Sequence, residues 1–281
     1  MSTVSKQLII NADDYGICRE VNLAFENLIN LGKLQNVSIL TNSRFYEEIA
    51  GFLLNKSECS AGVHLNIIEG TPVLPVGKIK VLLDGNGQFV NLRNILMRWL
   101  RSPVAVAKAV ELEWRAQIEI LISDGIIVSH ADSHQHIHAF PPFWRILIKL
   151  CEEYKIPAAR LPRERNRLGR RAVAAFALEQ SANISKLFSS KTKLITNRHF
   201  LGFKRAGTYG EAELINDLKE LKNGVTELVL HPSLIDGIPY SELRGELEYQ
   251  ALMGSKVWET IEELKIELTT WASISNPLPT N

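Results

Sequence analysis

Leu8-Ile9-Ile10-Asn11-Ala12-Asp13-Asp14-Tyr15-Gly16 decides how the rest of the chain is read. Three consecutive apolar residues stop at a polar run, the pattern of a parallel strand buried on both faces until it reaches the sheet edge. A helix follows, because Val21, Ala24, Phe25, Leu28 and Ile29 recur at helical spacing and Gly32 supplies the stop. The alternation continues, with strands expected over 37–40, 61–65, 126–131, 159–161 and 227–230 and helices over 45–54, 110–122, 143–154 and 211–221. The remainder to about Leu268 reads as helical with a last strand near its end. Strands joined through right-handed helical crossovers form a parallel sheet. About seven such units favour an α/β fold of deformed, TIM-like (β/α) barrel type over an open doubly wound sheet.

One domain over residues 1–281 is expected, with excursions from the regular pattern at about 66–101 and 163–206. Gly70, Pro72, Pro75, Gly77, Gly85 and Gly87 break up the first excursion, and long excursions usually shape a site. No GxGxxG turn follows the first strand and no GxxxxGK[ST] loop occurs, which removes the main support for dinucleotide or P-loop nucleotide binding.

Composition narrows the function further. The 281 residues are 46% hydrophobic and 22% charged, an ordinary globular content that excludes disordered and fibrous classes. Lys plus Arg number 32 against 31 Asp plus Glu, so no basic field exists to hold nucleic acid. Cys18, Cys59 and Cys151 are far apart and odd in number, which points to reduced thiols and a cytoplasmic address. No run approaches the roughly 18 apolar residues of a membrane span.

Ionisable residues cluster just after strands, where a barrel builds its active site. Asp13 and Asp14 end the first strand. If the chain turns there, both carboxylates reach one site and can divide the work of metal ligation and proton transfer; the pair equally fits the N-cap of the next helix. His64 ends the third strand. Asp132-Ser133-His134-Gln135-His136-Ile137-His138 follows the fourth, a density of metal-ligand types suited to a hydrolytic divalent ion. An extended backbone puts His134, His136 and His138 on one face, with one or two on the ion and the others behind it or on substrate. His130 reads as structural. His231-Pro232 follows the last clear strand, and an imidazole there can protonate a departing amine. Arg160 and Glu164 flank the fifth strand's end, either as a buried pair that orients a carboxylate or holds substrate, or as a surface pair. Arg163, Arg165, Arg167, Arg170 and Arg171 precede the apolar stretch 172–178, as a solvated helix start or as a contact for anionic lipid or phosphate.

Four motifs in order, Asn11-Ala12-Asp13-Asp14-Tyr15-Gly16, Gly62-Val63-His64-Leu65-Asn66 with Glu69-Gly70, Asp132 to His138, and His231-Pro232, resemble the YdjC-like (ChbG) carbohydrate deacetylases over residues 8 to about 236. The resemblance implies a deformed barrel, one divalent metal ion (Mg or Zn, with Co or Ni also accepted), and hydrolysis of an N-acetyl group from an amino sugar, often in a homodimer. By that resemblance Asp14, His64 and His134 hold the metal, Asp13 is the general base and His231 the general acid. His136, His138, Arg160 and Glu164 remain as substrate or supporting residues. Ile67-Ile68 stands where the family often has Leu-Thr, and Ser233 where Gly is frequent. The stretch Arg160 to Glu164 and the excursion 78–101 look closer to the hopanoid-associated branch, HpnK, which implies a sugar-bearing lipid substrate and peripheral membrane contact. Competing expectations are a metal-dependent phosphoesterase, which wants a second metal, and a non-catalytic metal- or sugar-binding protein of the same fold.

Overall fold

In a computed structural model the described residues are 5–56, 58–164, 171–189, 192–239 and 243–275. Among these residues nine strands form one parallel sheet: β1 (Lys6–Tyr15), β2 (Asn36–Ile39), β3 (Ser60–Leu65), β4 (Val128–Ser133), β5 (Ala158–Ala159), β6 (Ile195–Thr196), β7 (His199–Leu201), β8 (Gly224–Leu230) and β9 (Glu267–Leu268). Their order is β6-β5-β4-β3-β2-β1-β8-β7, with β9 beside the start of β1. The outer members β6 and β7 are separated only by Asn197 and Arg198, so the sheet curls until its ends meet. Asn197 ties that seam to the end of β5 like an extra peptide group: its Oδ1 accepts Leu161 N–H at 2.6 Å, and its Nδ2 donates to Leu161 O at 3.0 Å and to His199 O of β7 at 2.9 Å. This is the expected deformed (β/α) barrel. The short strands β6 and β7 escaped the sequence pattern, because two or three residues carry no measurable period.

Strand alternation sorts the side chains. Leu8, Ile10 and Ala12 of β1, Val37 and Ile39 of β2, Val63 and Leu65 of β3, and Leu228 and Leu230 of β8 join the large apolar core under the helices. The other parity turns inward: Ile9 packs with Ala158 and Trp271 at the strand starts. Above them the same rows carry Asn11 and Asp13, Ser38, His64, His130 and Asp132, Arg160, and Glu227, all buried. The barrel interior is therefore apolar at its floor and polar above it.

The long helix Pro103–Ser123 holds the first excursion in place. Gln117 donates to Asn66 O at 2.7 Å and accepts its N–H at 2.9 Å, while Glu113 accepts the N–H groups of Val73 and Leu74. Both polar residues are fully buried one turn apart on that helix, where they replace the ladder partners that residues 66–74 lack. Within the excursion a further helix, Leu92–Arg101, is capped by the Asn91 side chain, which accepts Asn94 N–H at 3.0 Å. In the second excursion a helix spans Ala172–Ser189, where the sequence pattern is irregular. No helix among the described residues is long and apolar enough to cross a membrane.

His130 is structural, as expected. Its ring stacks on Trp271 at 5.3 Å, and burial pushes its imidazole down to about 3, so it stays neutral. The ring lies over Gly62, where an added Cβ would sit 2.3 Å from it. Gly62→Ala is therefore expected to destabilise the protein by about 1–3 kcal/mol through overpacking. Gly51→Ala, on an open helix face with nothing within 4 Å, is expected to stabilise by about 0.5–1 kcal/mol. Chemical denaturation of the two variants checks both signs.

Candidate functional site

At the end of β1 four residues, Ala12 to Tyr15, run opposite three, Val37 to Ile39, so one extra residue is bulged. Asp14 takes that place with φ 71°. A non-glycine residue in the left-handed region is strained and persists only where its surroundings hold it. The bulge breaks the alternation that would send Asp13 and Asp14 to opposite faces, and both carboxylates enter one buried site.

Asp14 Oδ1 lies 3.3 Å from His64 Nε2 and 2.7 Å from His134 Nδ1. One ligand atom from each of these three residues lies within 4.8 Å of the others. Each histidine gives its other nitrogen to a carboxylate: His64 Nδ1–H to Asp132 Oδ1 at 2.6 Å, and His134 Nε2–H to Glu69 Oε2 at 2.8 Å. Carboxylates behind ligating imidazoles fix tautomer and ring orientation, the arrangement found around bound metals. The donor set, one carboxylate and two imidazoles, fits Zn and its neighbours and also accepts harder ions. Asp13, His64 and Asp132 satisfy the same distance criterion. There, however, Arg160 already occupies both carboxylates.

Arg160 continues the inward row of β5 and is fully buried. Its Nη1 and Nη2 fork onto Asp13 at 2.6 and 2.7 Å, Nη2 also meets Asp132 Oδ2 at 2.6 Å, and Nε donates to Glu227 Oε1 at 2.9 Å. Asn11 Nδ2 donates to Asp13 at 2.8 Å and the Ser38 hydroxyl to Asp132 at 2.7 Å. The Arg160–Glu164 pair expected from sequence is not formed. Arg160 turns into the barrel, and Glu164 accepts the Lys204 N–H at 3.0 Å. Arg163 donates to Arg198 O and Arg171 to Phe203 O, while Arg165, Arg167 and Arg170 lie outside the described residues.

The three histidines after β4 do not share a face. Residues His134–Ala139 wind into a tight turn with Gln135 at φ 50° and His136 at φ 55°, and the Ser133 hydroxyl accepts His138 N–H. His134 consequently faces Asp14. His136 stands edge-on to Phe200 with a ring separation of 5.4 Å. His138, fully buried, accepts from Ser133 Oγ at Nδ1 and donates to Arg160 O from Nε2, tying the turn to β5.

His231 follows β8 and feels the charges of Asp14, Asp13, His64 and His134 across the site. Burial, the largest influence, pushes its imidazole down. Its backbone N–H donates to Glu248 Oε2 at 2.6 Å. Sequence reasoning missed Glu248 and Glu227 as site residues, and gave Glu69, quoted within the second motif, no role. Glu227 opens an otherwise apolar strand run, a buried charge whose partner lies far away in sequence. Glu248 sits in a helical stretch rich in acids, where no local pattern separates it from Glu246.

Burial also acts on the other groups. It opposes the charges of His64 and His134, but Asp132 and Asp13 around the first, and Asp14 and Glu69 around the second, outweigh it and push them up to about 9 and about 10. Burial pushes Glu227 up to about 7 against the pull of Arg160. Both histidines titrate near 6.5 in an unfolded chain, so the stabilisation from their pairing is complete below about pH 6.5 and lost as pH climbs through 9 and 10. Metal-free protein is expected to weaken across that window, read from denaturant midpoints at several pH values. His64→Gln should flatten part of the slope.

The profile of the family described as YdjC-like protein matches residues 7–263, and the chain belongs to that family. A Brevibacillus brevis protein named carbohydrate deacetylase is 26% identical over 95% of this chain and 99% of its own length. A human protein of the same name is 26% identical over 95% of this chain and 85% of its own. The fold matches an Enterococcus faecalis structure described as a cellobiose-phosphate cleavage protein, with TM-score 0.74, 22% identity, and coverage of 96% of this chain and 99% of that one. Arg160→Met leaves Asp13, Asp132 and Glu227 without their shared cation and is expected to cost about 3–5 kcal/mol, measurable as a lowered denaturation midpoint.

Proposed function

We propose that this chain is a metal-dependent hydrolase that removes the N-acetyl group of an acetylated amino sugar. The observation that carries this reading is the convergence of Asp14, His64 and His134 at the strand ends, with Asp13 Oδ2 4.0 Å from His64 Nε2. The relatives named carbohydrate deacetylase support it over nearly the full chain. Asp14 Oδ1, His64 Nε2 and His134 Nδ1 would hold one divalent ion, Mg or Zn, with Co or Ni also suited.

When bound, such an ion polarises the acetamide carbonyl and lowers the pKa of water. Asp13, locked by the Arg160 fork and Asn11, accepts the proton that water loses as it attacks the carbonyl carbon. His231, at the end of the neighbouring strand β8, gives a proton to the nitrogen as the C–N bond breaks, so that acetic acid, which ionises to acetate, and a neutral amine leave rather than an amide anion. His136, buried and edge-on to Phe200, would serve as a substrate or supporting residue.

A sugar-bearing lipid is a second reading of the substrate. The helix Ala172–Ser189, which begins just after Arg171, exposes Val173 at 85% and Phe176 at 49%, an apolar edge that a lipid could use in peripheral membrane contact. The reading extends to a homodimer and a cytoplasmic location, the latter supported by three buried free thiols. A phosphoesterase wants a second ion, and the adjacent donor group is neutralised by Arg160.

Acetate release from diacetylchitobiose, longer chitooligosaccharides and an N-acetylglucosaminyl lipid, before and after chelation, tests the function. Chelator-sensitive release is expected; no release from any of them with one ion bound overturns it. Asp13→Asn is expected to keep metal and lower turnover by about 10²–10⁴-fold, whereas His64→Ala should lose metal stoichiometry in elemental analysis. Because His64 and His134 carry protons at neutral pH without metal, ion binding at pH 7.5 should release about two protons. Calorimetry in buffers of different ionisation enthalpy counts them.

A further inference from the structure

The helix Gly245–Met253 starts against the His231 turn. A Cβ on Gly245 would fall 2.6 Å from Ser233 Cβ and 3.0 Å from His231 O, so only glycine lets the two backbones approach this closely. Ser233 N–H closes the contact on Gly245 O at 3.0 Å. One turn on, Glu248 is fully buried, with Oε1 accepting Gly207 N–H at 2.6 Å and Oε2 accepting His231 N–H at 2.6 Å. His231 Nδ1 is a buried atom with no hydrogen-bond partner, and it lies 4.0 Å from that same Oε2. A buried imidazole nitrogen left beside a buried carboxylate oxygen is a contact waiting on a small ring rotation.

We propose that Glu248 is the positioning residue for His231: it takes the Nδ1–H of the imidazole and thereby leaves Nε2 to face the site. This rests on the assignment of His231 as the proton donor to the leaving nitrogen. Burial pushes Glu248 up to about 7, and above that pH it is a carboxylate that can only accept, so an imidazole that gives Nδ1–H to it keeps the other nitrogen for the exchanged proton. The proton that reaches the amine leaves from Nε2, while the other proton stays on Nδ1, hydrogen-bonded to Glu248 throughout, so Glu248 transfers nothing and touches no substrate. The titratable groups facing His231 are Asp13 and Asp14 of β1, His64 of β3 and His134 after β4, with Glu248 from the helix. Among the described residues Glu248 is the acid within 4.0 Å of Nδ1, and the positive charge of Arg171 favours its ionised form.

Nitrogen NMR of the ¹⁵N-histidine-labelled, zinc-loaded full chain tests the contact directly, with His231 assigned through His231→Gln. A neutral His231 with Nδ1 protonated and Nε2 bare is expected; the opposite tautomer overturns the proposal. Acetate release from diacetylchitobiose then tests its consequence. His231 must be protonated to donate, so turnover falls as pH rises through its pKa. Glu248→Gln should lower kcat about tenfold with KM unchanged and move that fall about one unit to lower pH, and Glu248→Asp should restore part of both. Glu248→Gln in the His231→Gln background should slow the reaction no further. An unshifted alkaline limb in Glu248→Gln, or an equal loss in both backgrounds, overturns the proposal. If wild-type protein releases no acetate, the deacetylase reading fails by itself, and the tautomer still decides whether Glu248 holds His231.

Discussion

One buried guanidinium organises the interior of this barrel. Arg160 reaches from the end of β5 to Asp13 on β1, Asp132 on β4 and Glu227 on β8, with none of the four exposed beyond 2%. Three carboxylates in an apolar shell repel one another and lose hydration, and only a cation with several donors in a fixed plane can satisfy them together. A lysine, with one compact charge, could not fork onto Asp13 while bonding Asp132 and Glu227. The arrangement fixes where strands from opposite sides of the sheet end, and so fixes the geometry of everything built on those ends.

Beyond that cation the balance stays negative. Asp14 and Glu69 add two further carboxylates, and the histidines between them are drawn toward protonation by their neighbours. Nothing in the described interior other than these imidazoles answers that excess. An arrangement that holds protons on two histidines only through surrounding carboxylates is one that a divalent ion can enter by displacing them, since both nitrogens aimed at Asp14 become free to ligate. The strain at Asp14 has the same origin: its left-handed backbone delivers a second carboxylate to a place the strand's alternation would deny it.

Much of this was legible along the chain. The strand-helix alternation, the polar ends of the first, third, fourth and eighth strands, and the residues Asp13, Asp14, His64, His134 and His231 all stand out because each sits where an apolar run abruptly becomes ionisable. What escaped was of two kinds. Two-residue strands such as β6 have no period to detect. The partners Glu227 and Glu248 look like ordinary acids, since their meaning lies in contacts with residues 67 and 17 positions away, and the role of Glu69, quoted within a motif, rests on a histidine 65 positions away. The pairing of Arg160 with Glu164 misled for the same reason, because closeness in sequence stood in for a partner that strand parity placed across the barrel.

The sequence by itself determined the class of fold and the set of chemistry-bearing residues, because hydrophobic periodicity and abrupt polar strand ends are local properties. Only the tertiary structure decided which nitrogen of each histidine faces the site, which carboxylates stand behind them, and which acid shares Arg160. Those depend on a one-residue bulge at Asp14, a left-handed turn at Gln135 and His136, and the curl that brings β5 opposite β1 and β8. Each is a matter of ångströms between segments far apart in the chain, set by packing and electrostatics rather than by any neighbour in sequence.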